Sequence, residues 1–181
     1  MRLRLLSVLS LVALTGCSKF DSNPEIFFGD GEGISYRTSS NMRIGPQDPT
    51  DWTSDATWEE RERNLFPELT FDLNGPQQPA FIAYTSAYAN PAQVSIANWA
   101  LQTNRNSSGG AANYTVHAVI VNRKYGVLTK LGPNNFTLGY QYSLDYARIG
   151  MQPNELYRLY YVVYSANGLV YKGHGDVRYS R

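Results

Sequence analysis

Phe136-Thr137-Leu138-Gly139-Tyr140-Gln141-Tyr142-Ser143-Leu144 alternates apolar and polar side chains along its whole length. Successive side chains of an extended chain leave opposite faces, so this period of two predicts an antiparallel strand with one face on a core and the other in water. The same period recurs upstream, at 68–73, 80–86, 94–102 and 114–121, with Asn-Gly, Asn-Pro and Ser-Gly-Gly breaks between. Fourteen tyrosines and few Leu-rich runs point the same way, because aromatic side chains fit a pleated, half-buried surface.

Ahead of those strands the period is different. Thr57-Trp58-Glu59-Glu60 fits a capping box, with Thr57 bonding forward and Glu60 reaching back. Glu59 and Arg63 follow at a spacing of four, and Pro67 stops the pattern after Phe66. One short helix is expected near residues 56–66, with Trp58, Leu65 and Phe66 on its buried side. Short strands are expected at 25–28 and 34–37, and 45–55 reads as loop.

Met151-Gln152-Pro153-Asn154-Glu155-Leu156-Tyr157, followed by an alternating run to Ser165, resembles the E-to-F corner and F strand of fibronectin type III and related immunoglobulin-like sandwiches. The resemblance covers about twenty residues. It implies an antiparallel immunoglobulin-like β-sandwich over 68–181, with 25–67 packed on it. It also implies that Tyr157 is the tyrosine-corner residue, its hydroxyl bonded to nearby backbone. Tyr157, Leu159, Tyr161 and Val163 would then point inward.

Asn167-Gly168 suits a two-residue type I′ hairpin. That turn pairs Ala166 with Leu169, Tyr164 with Tyr171 and Val162 with Gly173. Tyr160, Val162, Tyr164, Leu169 and Tyr171 share one face, opposite Leu159, Tyr161, Val163 and Val170. With both faces apolar, the second must be covered by the N-terminal segment or used for contact. Tyr160, Tyr164 and Tyr171 are therefore the candidate ligand or partner residues.

The first seventeen residues carry a second resemblance. Arg2 and Arg4 precede an apolar run from Leu5 to Leu14, too short to span a bilayer, and Leu14-Thr15-Gly16-Cys17 closes it. This tetrapeptide resembles the lipobox of bacterial lipoproteins. The resemblance implies a leader over 1–16, cleavage after Gly16, lipid on the Cys17 sulfur and a tether over 17–24. Several acyl chains give stable anchoring where one does not. Ser18, in place of the Asp common in inner-membrane lipoproteins, favours the outer membrane; the side of display stays open.

Removal of residues 1–16 deletes two arginines and no acid, which takes the formal charge from +1 to −1. Such a balance offers nucleic acid no electrostatic footing. Charge is uneven, however: 18–73 holds five basic and twelve acidic residues, and 74–181 nine basic and three acidic. An acidic front and a basic back are expected to meet within the domain. Cys17 is the only cysteine, so with that thiol consumed by lipid the mature domain would have no disulfide, no thiol nucleophile and no cysteine metal ligand.

Catalytic chemistry is thinly represented. His117 reads as a packed strand residue. His174 lies in Lys172-Gly173-His174-Gly175-Asp176, where Asp176 could orient it as a base, yet no serine elbow accompanies it. Asp30, Glu32, Asp48, Asp51 and Asp55 offer oxygen ligands without calcium-loop spacing. No cofactor or metal is expected. The sequence thus predicts a non-catalytic, lipid-anchored envelope protein that contacts another envelope protein, or alternatively a glycan through its aromatic sheet face.

Overall fold

The computed structural model describes residues 25–30, 32–104 and 113–180. Leader, lipobox, Cys17 and tether lie outside the described residues, and so does the sandwich's last residue. The described chain is mainly β, with two antiparallel sheets packed as a sandwich consistent with the immunoglobulin-like class. In chain order the strands are β1 (Thr53–Ser54), β2 (Ile82–Tyr88), β3 (Ile96–Thr103), β4 (Tyr114–Val121), β5 (Val127–Phe136), β6 (Gly139–Asp145), β7 (Leu156–Ser165) and β8 (Gly168–Arg178). One sheet runs β1-β8-β7-β4-β5 and the other β2-β3-β6.

The alternating stretch that announces the fold is shared between the two sheets. Phe136 ends β5 in the larger sheet, whereas Gly139 begins β6 in the smaller one. Sheets stack about 10 Å apart, a gap that two residues can bridge. Thr137 and Leu138 make that crossing, which leaves Leu138 49 % exposed while Phe136 and Leu144 are buried. β5 itself carries Pro133, tolerated because an edge strand need not donate on its open side.

The β7–β8 hairpin is displaced from the expected register. Gly168 takes φ 102°, but Asn167 does not take the positive φ that a type I′ turn requires. The connecting residues are Ala166 and Asn167, so Ser165 pairs with Gly168 and Tyr164 with Leu169. An extra residue then enters β8, and Val163 pairs with Tyr171 and Val162 with Lys172. A bulge of one residue carries Tyr171 to the opposite face from Tyr160.

The larger sheet has two buried faces. Toward the smaller sheet lie Val116, Ile120, Leu159, Tyr161, Val163 and Tyr171, meeting Trp99, Leu101 and Leu144. Away from it, Val119, Val121, Tyr160, Val162 and Leu169 are covered by Ile26, Phe28, Trp58, Leu65, Phe66 and Leu73. The N-terminal segment is therefore the lid of the second face.

That lid contains little regular structure. The expected strands at 25–28, 34–37 and 68–73 do not form: Ile26, Phe28, Leu69, Phe71 and Leu73 insert single side chains against the second face, and Arg37 makes only single-residue bridges with Arg43 and Asn90. The helix is one turn, α1 (Glu60–Arg63), capped by Glu59 with Glu62 reaching back, not by Thr57 with Glu60. Asn74 explains the late start. Its side chain accepts from Trp58 N–H at 2.8 Å and donates to Trp58 C=O at 3.0 Å, holding Trp58 outside the helix. Glu59 then pairs with Arg61 at 2.6 Å, and Arg63 donates to Trp58 C=O at 2.7 Å.

β1 was not expected, and glycine makes room for it. Thr53 pairs with His174 and Ser54 with Gly173 at the edge of β8. A Cβ on Gly173 would overlap the Thr53 carbonyl oxygen, and one on Gly175 would overlap the Trp52 indole. Gly175→Ala is expected to cost about 1–3 kcal/mol through overpacking, read as a lower denaturation midpoint. An unchanged midpoint would show that Trp52 can move aside.

Candidate functional site

The acidic lid and the basic strands do meet. Every polar contact that matters to the site lies in the seam between the lid and β7–β8. Arg158, on β7, donates to both carboxylate oxygens of Asp176 at 2.6 and 2.7 Å and to Phe27 C=O at 3.1 Å. Asp176 backbone N–H donates to Asp51 Oδ1 at 2.7 Å, and Ser35 N–H to Asp51 Oδ2 at 2.7 Å. Lys172 is fully buried, with Nζ donating to Ala56 C=O at 3.0 Å and Asn74 Oδ1 at 3.2 Å, 5.2 Å from the Trp58 ring centroid. Burial pulls the Lys172 ammonium below the usual lysine value.

Asp51 makes the seam sensitive to pH. Burial first, then the nearby Asp176 carboxylate, push its carboxyl up to about 7, against the two N–H donors that favour ionisation. A folded value above the unfolded one means that the native state holds the proton more tightly. Its contribution is fully present below about pH 4 and is lost as pH rises to about 7, by at most about 1.4 kcal/mol per unit. Melting curves between pH 5 and 8 should therefore be flatter for Asp51→Asn, which has no carboxyl proton to exchange. Parallel curves for both proteins would refute the assignment.

Tyr160, Tyr164 and Tyr171 do not form an exposed platform. Tyr160 has no exposed surface; Trp58 meets it edge-on with centroids 5.5 Å apart, and its hydroxyl donates to Glu62 Oε1 at 3.0 Å. Tyr164 is half-buried against Phe71, at 5.2 Å. Tyr171 lies in the other core, stacked on Tyr161 at 5.9 Å, and burial pushes its phenol up to about 12. Hydrophobic covering by the lid, together with the β8 bulge, removes the aromatic face on which a glycan was expected to rest. At Tyr157 the hydroxyl oxygen accepts from Gln152 backbone N–H, 2.8 Å away and five residues earlier.

Both histidines reach lid carboxylates. His117 Nδ1 is 3.1 Å from Glu68 Oε1 and its Nε2 is 3.2 Å from the Tyr164 hydroxyl, so both ring nitrogens are occupied. His174 does not use Asp176, which is committed to Arg158. Instead its Nδ1 lies 2.9 Å from each oxygen of Asp55, and Trp58 Nε1–H donates to Asp55 Oδ2 at 2.6 Å. His174 and Asp55 border an open, solvent-facing cavity of about 480 Å³ that Thr50, Thr53, Thr57 and Glu62 also line.

The acidic loop residues singled out for calcium have separate tasks. Asp48 accepts from Thr50 N–H and hydroxyl, Asp51 binds two backbone donors, and Asp55 holds His174. Among the described residues no three His, Cys, Asp or Glu side chains are placed to share a metal ion. No helix among them is long and apolar enough to cross a membrane. Arg158 and Lys172 are not among the site residues that the sequence suggests, and Asp51 and Asp55 are suggested there only as oxygen ligands. The charge asymmetry between the two halves of the chain is one signal of their pairing in the sequence. Comparison with known proteins finds no family model that matches the chain and no curated protein with significant similarity.

Proposed function

We propose that this chain is a lipoprotein precursor, cleaved after Gly16 and anchored by lipid on Cys17 in the outer membrane. The folded domain has a structural or protein-interaction role there, contacting another envelope protein. The observation that carries this reading is Leu14-Thr15-Gly16-Cys17 at the end of a short apolar run behind Arg2 and Arg4. Exposed apolar side chains supply a contact region away from the buried tyrosines. Met42 and Ile44 are 61 % and 48 % exposed on the loop whose Asn41 binds Ser86 of β2, and Tyr84 of the same strand is 46 % exposed.

Cys17→Ala should leave the thermal midpoint unchanged and move the protein from the membrane to the soluble fraction. Mass spectrometry of the natural product should show an acylated amine and a thioether at residue 17. An unmodified sulfur, or an intact leader, would overturn the anchoring reading. For the contact role, crosslinking in whole envelopes should give one protein adduct that Tyr84→Ala with Met42→Asp removes. Adducts unaffected by that pair of changes would sink the proposed contact region.

A further inference from the structure

We propose that Asp55 and His174 form a general-base site that activates water against a small neutral or cationic ester held in the seam cavity. This goes beyond the contact role and is independent of the lipid anchor. A carboxylate only accepts hydrogen bonds, so the ring nitrogen facing Asp55 is the one that donates, and in the neutral ring the lone pair then falls on Nε2. Trp58 Nε1–H holds the carboxylate from its other side. Nε2 makes no hydrogen bond to a described residue, the His174 side chain is 12 % exposed, and His174 is among the residues that line the cavity. Base, orienting group and adjoining space are the parts that proton abstraction needs.

The scaffold around His174 is rigid. Thr53 pairs with it across the ladder, Trp52 N–H donates to its carbonyl at 2.8 Å, and Gly173 and Gly175 admit those neighbours. Substrate charge follows from Asp55 and Glu62 on the cavity wall, which disfavour an anion. In the proposed step a water oxygen bonds to the ester carbonyl carbon while one water proton passes to Nε2. The tetrahedral adduct then expels the alkoxide, the carbon–oxygen bond breaks, and Nε2 returns the proton to the leaving oxygen. Imidazole is regenerated, and no oxidant or cofactor is consumed. His174 is the catalytic residue, and Asp55 is a positioning residue.

His117 is the internal control, since both of its nitrogens are engaged. With p-nitrophenyl acetate as the probe, the full chain should release nitrophenolate at least about tenfold faster than buffer. His174→Gln should abolish that excess and His117→Gln should keep it. Asp55→Asn should lower the rate and change its pH profile, because the wrong tautomer is then favoured. Equal rates for the wild type and a folded His174→Gln would overturn the proposal. Nitrogen-15 spectra of the wild type decide the case if that variant fails to fold. Above the pH at which the ring loses its second proton, they should show His174 protonated on Nδ1 and reacting with diethylpyrocarbonate at Nε2 faster than His117. Protonation on Nε2, or faster modification of His117, would equally refute it.

Discussion

Arg158→Ala is expected to lower stability by about 3–5 kcal/mol, because it leaves the carboxylate of Asp176 buried without a counter-charge. Asp176 has no exposed surface, and the Asp51 carboxyl close by adds repulsion once it ionises. Burial alone pushes the Asp176 carboxyl up, and the guanidinium opposes that push through two short hydrogen bonds. Removing both members is a different matter. Arg158→Met with Asp176→Leu should recover most of the loss, since a buried ion pair is costly to break but adds little over well-packed apolar groups. Urea denaturation of both variants distinguishes these outcomes. Equal loss in the single and double variants would show that packing, and not an orphaned charge, governs this position.

Trp58→Ala is expected to have a comparable effect, about 3–5 kcal/mol, by a different route. Trp58 is 1 % exposed, stacks on Phe66 at 5.5 Å and covers Tyr160 and Lys172. Truncation opens a void under the lid and also strips Asp55 of its indole donor. Hydrogen exchange should locate the damage. Amides of the lid, such as Asn64 and Leu65, should lose protection before those of β4, which is paired on both sides in the larger sheet. Uniform loss across both would mean that lid and sandwich open as one unit.

How much of this was legible depends on the range of the interaction concerned. Strand existence was read well from local alternation: 114–121 falls on β4 without adjustment, and 80–86 and 94–102 fall within two residues of β2 and β3. Phe136 to Leu144 shows the limit, because alternation records which face a side chain takes and not which sheet it belongs to. Tyr171 shows another. A single bulged residue inverts every face assignment beyond it, and no local pattern announced that residue.

The candidate site was illegible for a related reason. Asp55 and His174 are separated by 119 residues, and Asp51 and Asp176 by 125. Periodicity carries no information over such distances. What the sequence did display was a charged residue inside each of two apolar runs, Arg158 in Leu156–Ser165 and Lys172 in Gly168–Arg178. Charges at such positions demand a partner, since burial without one is prohibitive. The excess of acid in 18–73 was the matching half of that signal.

Much of the surface on which the lid settles, Tyr160, Val162 and Leu169, belongs to the two closing strands. Residues 51–74 are synthesised roughly a hundred positions ahead of the hairpin that receives them, so a growing chain cannot complete its native topology from the front. The native topology is therefore expected to close only once Leu156 to Arg178, which form β7 and β8, have been made. Chains ended before Leu156 should accordingly melt without cooperativity, and a sharp transition in such a fragment would contradict this order of events.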